Sequence, residues 1–153
     1  MEFTHVPKDI CEKKRYWITC ITREEYLKGA IVLIKSLQAV NSKYSLILMV
    51  PKSISNAALE PLVSNSLSHE GECSLIIMKI DFYALPSSCK ASYAFDRFSD
   101  VWNKLLCWKV SAEMVCWLDS DMLILQNMDD IFEQLPLDKK LAACPGNIVS
   151  NNR

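Results

Sequence analysis

Basic charge is not in surplus in this sequence. The 17 Lys and Arg stand against 18 Asp and Glu, for a net charge of −1. Nothing in that balance would draw in nucleic acid or an anionic membrane by counterion release. The short basic cluster "CEKKR" (11–15) reads as a solvated turn before the first strand. Long apolar runs are missing too. "AIVLI" and "LILMV" are among the longest, far below the roughly 20 residues that span a bilayer. The opening "MEFTHVPKDICEKK" is polar and lacks a signal-peptide core. The 7 cysteines include no CxxC pair and no short metal spacing, which argues against a zinc site or a disulfide framework. Cys20, Cys107 and Cys116 lie in apolar segments as small hydrophobes. That usage, with no Asn-x-Ser/Thr acceptor, fits a reducing compartment and leads us to expect a cytoplasmic protein. The 2 histidines, His5 and His69, stand alone in polar segments and read as surface residues. There are no repeats, no low-complexity tract and no linker. What remains is 153 residues, 50% of them apolar, enough for one domain with one sizeable core.

The apolar segments alternate in type along the chain. "RYWITCIT" (15–22) is rich in β-branched and aromatic residues and predicts a buried strand. Leu27, Ile31, Ile34 and Leu37 then recur at helical spacing. Glu24 and Glu25 sit near the start, where acids suit the helix dipole, and Thr22 is a plausible N-cap. "YSLILMV" (44–50) predicts a second strand, stopped by Pro51. "SNAALEPLVSNSL" is a helix candidate with Pro61 in its middle. "CSLIIMKI" (73–80) predicts a third strand, "MVCWL" (114–118) a fourth and "LAACP" (141–145) a fifth. Before the fourth strand, Phe98, Trp102, Leu105 and Leu106 show helical spacing. "NMDDIFEQL" reads as a short helical turn, with Asp129 and Asp130 as its caps. The alternation predicts an α/β sandwich with a mainly parallel sheet covered on both faces. Ligands in such sheets bind at the carboxyl ends of the strands, near a topological switch point. The Thr22 region and the pair Asp119 and Asp121 fall at such ends.

Asp119 and Asp121 flank Ser120 directly after the fourth strand. Paired carboxylates there can hold a divalent cation through hard oxygen ligands. Isolated DxD tripeptides are also common as solvated turns. Two acids at the lip of a buried strand repel unless a cation or a donor compensates them. Lys104, in the preceding helix, is open to two readings: a point charge for a phosphate, or a solvated surface lysine.

Three segments together carry a resemblance. "RYWITCITREEYLKGAIVLIKSLQ", "RFSDVWNKLLCW" and "VCWLDSDMLILQNMDDIF" resemble, in order and at similar separations, the first strand and helix, the pre-motif helix and the DxD strand of glycogenin and other members of glycosyltransferase family 8. The variant "RFxDxWxKL" with "LDxDMLxLxNMDxxF" is most similar to the glycogenin-like and galactinol-synthase-like branch. The resemblance implies a GT-A nucleotide-diphospho-sugar transferase fold, Rossmann-like, over residues 15–153, behind a polar segment 1–14. It implies a UDP-sugar donor, Mn²⁺ held by Asp119 and Asp121, and hexosyl transfer with retention to an unknown acceptor. By position, Asp119 or Ser120 would lie near the ribose, and Thr22 and Tyr26 would hold uracil and ribose. Lys104 would serve the pyrophosphate as the catalytic cation, with Arg97 in the same group.

Two departures stand out. Arg23 replaces an amide residue of glycogenin. The chain also contains no HxxGxxKPW-like segment, the source of the third metal ligand in that family. These lead us to expect a C-terminally truncated or partial domain, with weak or absent transferase activity on its own. Alternatives are a non-catalytic nucleotide- or partner-binding homologue, with a homo-oligomer among its forms, and a haloacid-dehalogenase-like phosphatase with Asp119 as nucleophile.

Overall fold

The computed structural model describes residues 15–67, 71–82, 101–136, 138 and 141–143. Arg97 and Phe98 lie outside them. Strand β1 (Arg15–Cys20) leads through a 3-10 turn (Glu24–Tyr26) into helix α1 (Leu27–Ala39). Strand β2 (Leu46–Pro51), helix α2 (Asn56–Leu67) and strand β3 (Leu75–Ile80) follow. A 3-10 helix (Val101–Lys109) precedes strand β4 (Met114–Trp117), and a single helical turn α3 (Ile131–Gln134) comes last.

The four strands form one sheet in the order β3-β2-β1-β4, and every neighbouring pair is parallel. The chain moves outward from β1 through β2 to β3, then returns to the far side of β1 as β4. The direction of winding therefore reverses between β1 and β4. Their carboxyl ends open side by side, with Ile18 in register with Trp117. This is the mainly parallel α/β sheet that the sequence predicts.

Alternation along each strand splits the apolar side chains between two faces. On one face Trp17, Leu46, Leu48 and Val50 pack with Leu33, Ile34 and Leu37 of α1, Leu59 and Leu62 of α2, and Phe132. On the other, Tyr16, Ile18, Ile47 and Met49 pack under Leu106, with Cys107, Val110 and Trp117 around them. Both faces are covered, so continuous apolar runs are what these strands require. Cys20, Cys107 and Cys116 pack against these clusters, and burial pushes the thiol of Cys73 up to about 12.

Helix α1 ends in a Schellman motif. Asn41 takes φ 53°, its N–H reaches the carbonyl of Gln38, and the N–H of Ser42 reaches that of Leu37. Asparagine tolerates this left-handed conformation better than most residues.

Several local expectations change. Thr22 caps no helix: the cap positions belong to Arg23 for the 3-10 turn and Tyr26 for α1, and neither side chain caps. The 3-10 turn delays α1 by several residues and moves Thr22 off its start. Helix α2 runs through Pro61. Residues 141–143 are not a strand, and Cys144 and Pro145 lie outside the described residues. The helix before β4 is 3-10. At three residues per turn, Trp102, Leu105 and Trp108 eclipse on one exposed ridge, so of Trp102, Leu105 and Leu106 only Leu106 is buried.

Candidate functional site

Trp117 ends β4, and the chain turns at once. The N–H of Leu118 still bonds the carbonyl of Ile18 at 2.9 Å, and the N–H of Met122 closes a turn on the carbonyl of Asp119 at 3.1 Å. Asp119, Ser120 and Asp121 form this turn at the switch point. Ser120 lies against α1, and the contact exists because residue 29 is glycine. A Cβ there would stand 2.6 Å from the Ser120 carbonyl oxygen.

Beyond the turn, the segment is tied back to α1. The N–H of Ile124 donates to Ser36 Oγ at 3.1 Å, and Asn127 Nδ2 reaches the carbonyls of Val40 and Asn41, each at 3.1 Å. Asp129 is buried and accepts from Ser42 Oγ at 2.6 Å and from the N–H of Lys43 at 2.9 Å. It is therefore a brace between the two segments, rather than the helix cap expected from the sequence. The cap position of α3 belongs to Asp130, whose carboxylate makes no capping bond.

Asp119 is the centre of the polar cluster. Its Oδ1 accepts from Lys104 Nζ at 2.6 Å and from Trp117 Nε1 at 2.9 Å. The Lys104 ammonium also stands 5.4 Å from the centre of the Trp117 ring, within cation–π range. The backbone N–H of Asp119 meets Met122 Sδ at 3.2 Å. Burial pushes the Asp119 carboxyl up, but the hydrogen bonds from Lys104 and Trp117 and the charge of Lys104 outweigh it, leaving it below the ordinary range. Lys104 is thus ion-paired to Asp119 while its side chain remains 41% exposed. For Asp119, these donors supply the compensation that an acid at the lip of a buried strand needs.

The lowered Asp119 carboxyl has a definite sign. Its stabilising contribution is full above the unfolded value of about 3.9 and fades as pH falls through the lower folded value. Asp119→Asn should lack this acid-linked loss. Urea melts from pH 6 down to pH 3 should therefore converge for wild type and variant at the acid end. The effect is small because the side chain is 54% exposed.

Of the other sequence-predicted residues, three are described. Thr22, half-buried, and Tyr26, 45% exposed, stand on the adjoining exit from β1 into α1. Asp121 is exposed on the far side of Ser120. Arg97 lies outside the described residues. Sequence reasoning missed Trp117, Met122 and Gly29. Gly29 did carry a signal, as one of only 3 glycines and the one inside an apolar helix.

The fold and this turn can be set beside known proteins. No family profile matches the chain. The solved structure of the bifunctional glycosyltransferase WbbM superposes with a TM-score of 0.60 at 15% identity, covering 87% of this chain and 22% of that one. Glycogenin-1 of Caenorhabditis elegans is 27% identical over 117 residues, 76% of this chain. The chain is similar in sequence to glycogenin-like glycosyltransferases. Its GT-A-like fold agrees with the resemblance drawn from the motifs. Glucose N-acetyltransferase 1 of Gibberella zeae is 32% identical over 125 residues, 78% of this chain. The chain spans 26% of the length of each of these two relatives.

Asp119 and Asp121 are the candidate metal ligands named from the sequence. Among the described residues, no group of three or more His, Cys, Asp or Glu is placed to hold a metal. The donors present are two carboxylates, Asp119 and Asp121, hard oxygen ligands of the kind a Mn²⁺ or Mg²⁺ ion accepts. Two protein carboxylates completed by phosphate oxygens and water fit such an ion when a nucleotide arrives with it. Among the described residues, no helix is long and apolar enough to cross a membrane.

Proposed function

We propose that this chain carries the donor-binding region of a Mn²⁺-dependent transferase that moves a hexosyl group, with retention, from a UDP-sugar to an acceptor. What carries the reading is the Asp119–Ser120–Asp121 turn at the β1–β4 switch point, with Lys104 bonded to Asp119 Oδ1 at 2.6 Å. Asp119 and Asp121 would hold the ion, which supplies positive charge against the leaving nucleoside diphosphate. Lys104, one ammonium on a flexible stem, would exchange its carboxylate partner for the pyrophosphate and favour its departure. Thr22 and Tyr26, on the neighbouring strand exit, would receive uracil and ribose, with Ser120 beside the ribose. Arg97 would join Lys104. The phosphatase reading finds no support among the relatives.

A thermal melt tests this reading. UDP with Mn²⁺, near 100 times the dissociation constant, should stabilise the chain by about 2.7 kcal/mol, a rise in Tm of roughly 5–10 °C. The shift should need the metal and should vanish in the Asp119→Ala/Asp121→Ala variant. A cooperative melt with no shift would refute the nucleotide site.

A second reading draws on the ridge of Trp102, Leu105 and Trp108, which are 50%, 46% and 64% exposed. In that reading the chain binds nucleotide but serves as a partner-binding module without turnover. Sugar transfer from UDP-glucose by the purified chain would eliminate it.

A further inference from the structure

Trp117 has a role that packing alone does not explain. It lies on the face of β4 that meets Ile18 and Leu106, where any large apolar side chain would fill the space. Yet its indole N–H donates to Asp119 Oδ1 at 2.9 Å, and its ring face lies 5.4 Å from the Lys104 ammonium. One side chain therefore touches both the acid and the cation of the site. Phe or Leu would supply the same apolar surface without the hydrogen bond.

The two donors on Asp119 Oδ1 differ in charge, and the difference has a consequence. A divalent cation approaching Asp119 repels the Lys104 ammonium, and an arriving phosphate attracts it, so Lys104 is the donor that leaves. The indole N–H is neutral and rooted in a strand. It can remain while the ion binds, and its bond orients the carboxylate as a second-layer donor orients a metal ligand. We propose that Trp117 is a positioning residue of this site: its N–H holds the Asp119 carboxylate in one orientation while Lys104 is exchanged for a divalent cation.

This rests on the proposed metal–nucleotide site, and the experiment separates the two. Binding of Mn²⁺ to the full chain is measured by the loss of the free-ion electron paramagnetic resonance signal beyond that of Mn²⁺ with the same UDP and no protein. Wild type, Asp119→Ala, Trp117→Phe and Trp117→3-benzothienylalanine are compared. The last retains the bicyclic shape and replaces only the N–H, so a packing defect does not cloud the result. A ligand-free melt of each variant checks that it folds. Loss of an orienting partner lowers metal affinity by about 10–100-fold in known sites. We expect a loss near tenfold in both Trp117 variants, binding abolished in Asp119→Ala, and a ligand-free Tm for the benzothienyl variant close to wild type. Wild-type affinity in the benzothienyl variant, with binding still lost in Asp119→Ala, would overturn the role of Trp117 and leave the site standing. No Mn²⁺ binding by the wild type with UDP would overturn both.

Discussion

Replacing Gly29 by alanine should destabilise the protein, against the usual trend. In an exposed helix interior, alanine is favoured over glycine by about 1 kcal/mol. Here the added Cβ would stand 2.6 Å from the backbone oxygen of Ser120. No flexible side chain can yield, so either α1 or the Asp119–Asp121 turn must move. Overpacking of this kind costs about 1–3 kcal/mol, so the helix gain is offset and the net change should be a loss of up to about 2 kcal/mol. The functional effect should be larger. If the turn lifts from α1, its two carboxylates no longer stand as a pair at the strand end, and the response of the melt to UDP with Mn²⁺ should disappear. Melts of Gly29→Ala with and without ligand test both parts. A variant that is more stable than wild type and still answers to UDP would mean that the turn has room to spare.

The largest loss of stability should follow Asp129→Ala. This carboxylate is 7% exposed and lies against the segment that leads into β2. It accepts from Ser42 Oγ, from the Lys43 N–H and, at 3.3 Å, from Asn127 Nδ2. Ser42 Oγ in turn accepts from the indole of Trp17 at 2.9 Å, beneath the core. Truncation would remove the acceptor for all three donors and leave part of the set buried and unpaired. Hydrogen bonds to a charged group are worth about 1.5–3 kcal/mol each when broken from one side. A total near 3 kcal/mol is expected, since the Lys43 and Asn127 groups can turn to water. Asp129→Asn should recover part of this by keeping one acceptor oxygen. Urea unfolding reads both variants, with a lower midpoint and an unchanged slope expected. A loss under about 0.5 kcal/mol would place Asp129 among ordinary surface acids.

The main strands could be read from the sequence because each is a continuous apolar run, and a sheet buried on both faces asks for nothing else. The stripe Leu27, Ile31, Ile34 and Leu37 likewise located α1. Asp119 and Asp121 were visible because charge directly after such a run is costly. The details that failed depend on direction and distance. Thr22 looks like a cap, but the exit of β1 carries the chain through a 3-10 turn first. Trp102 and Leu105 look like core, since spacings of three and four fit an α-helix. At three residues per turn the same positions face outward. Asp129 resembles a helix cap because its partner, Ser42, lies 87 residues away. Trp117 reads as one more apolar residue in a strand, and nothing local reveals where its N–H points.

The parallel pairing of β1 with β4 also has a consequence in time. Trp117 must find Ile18 across nearly the whole described chain, whereas β2 reaches β1 much sooner. At synthesis rates of about 5–20 residues per second, Trp117 leaves the ribosome roughly 5–20 s after Ile18. Through that interval the central strand of the sheet has one unpaired edge, the kind of edge that recruits other chains. The acids of the site reach their places only when that edge closes. A slowed ribosome, or a delay between β3 and β4, would lengthen the exposure without altering a single contact of the finished fold.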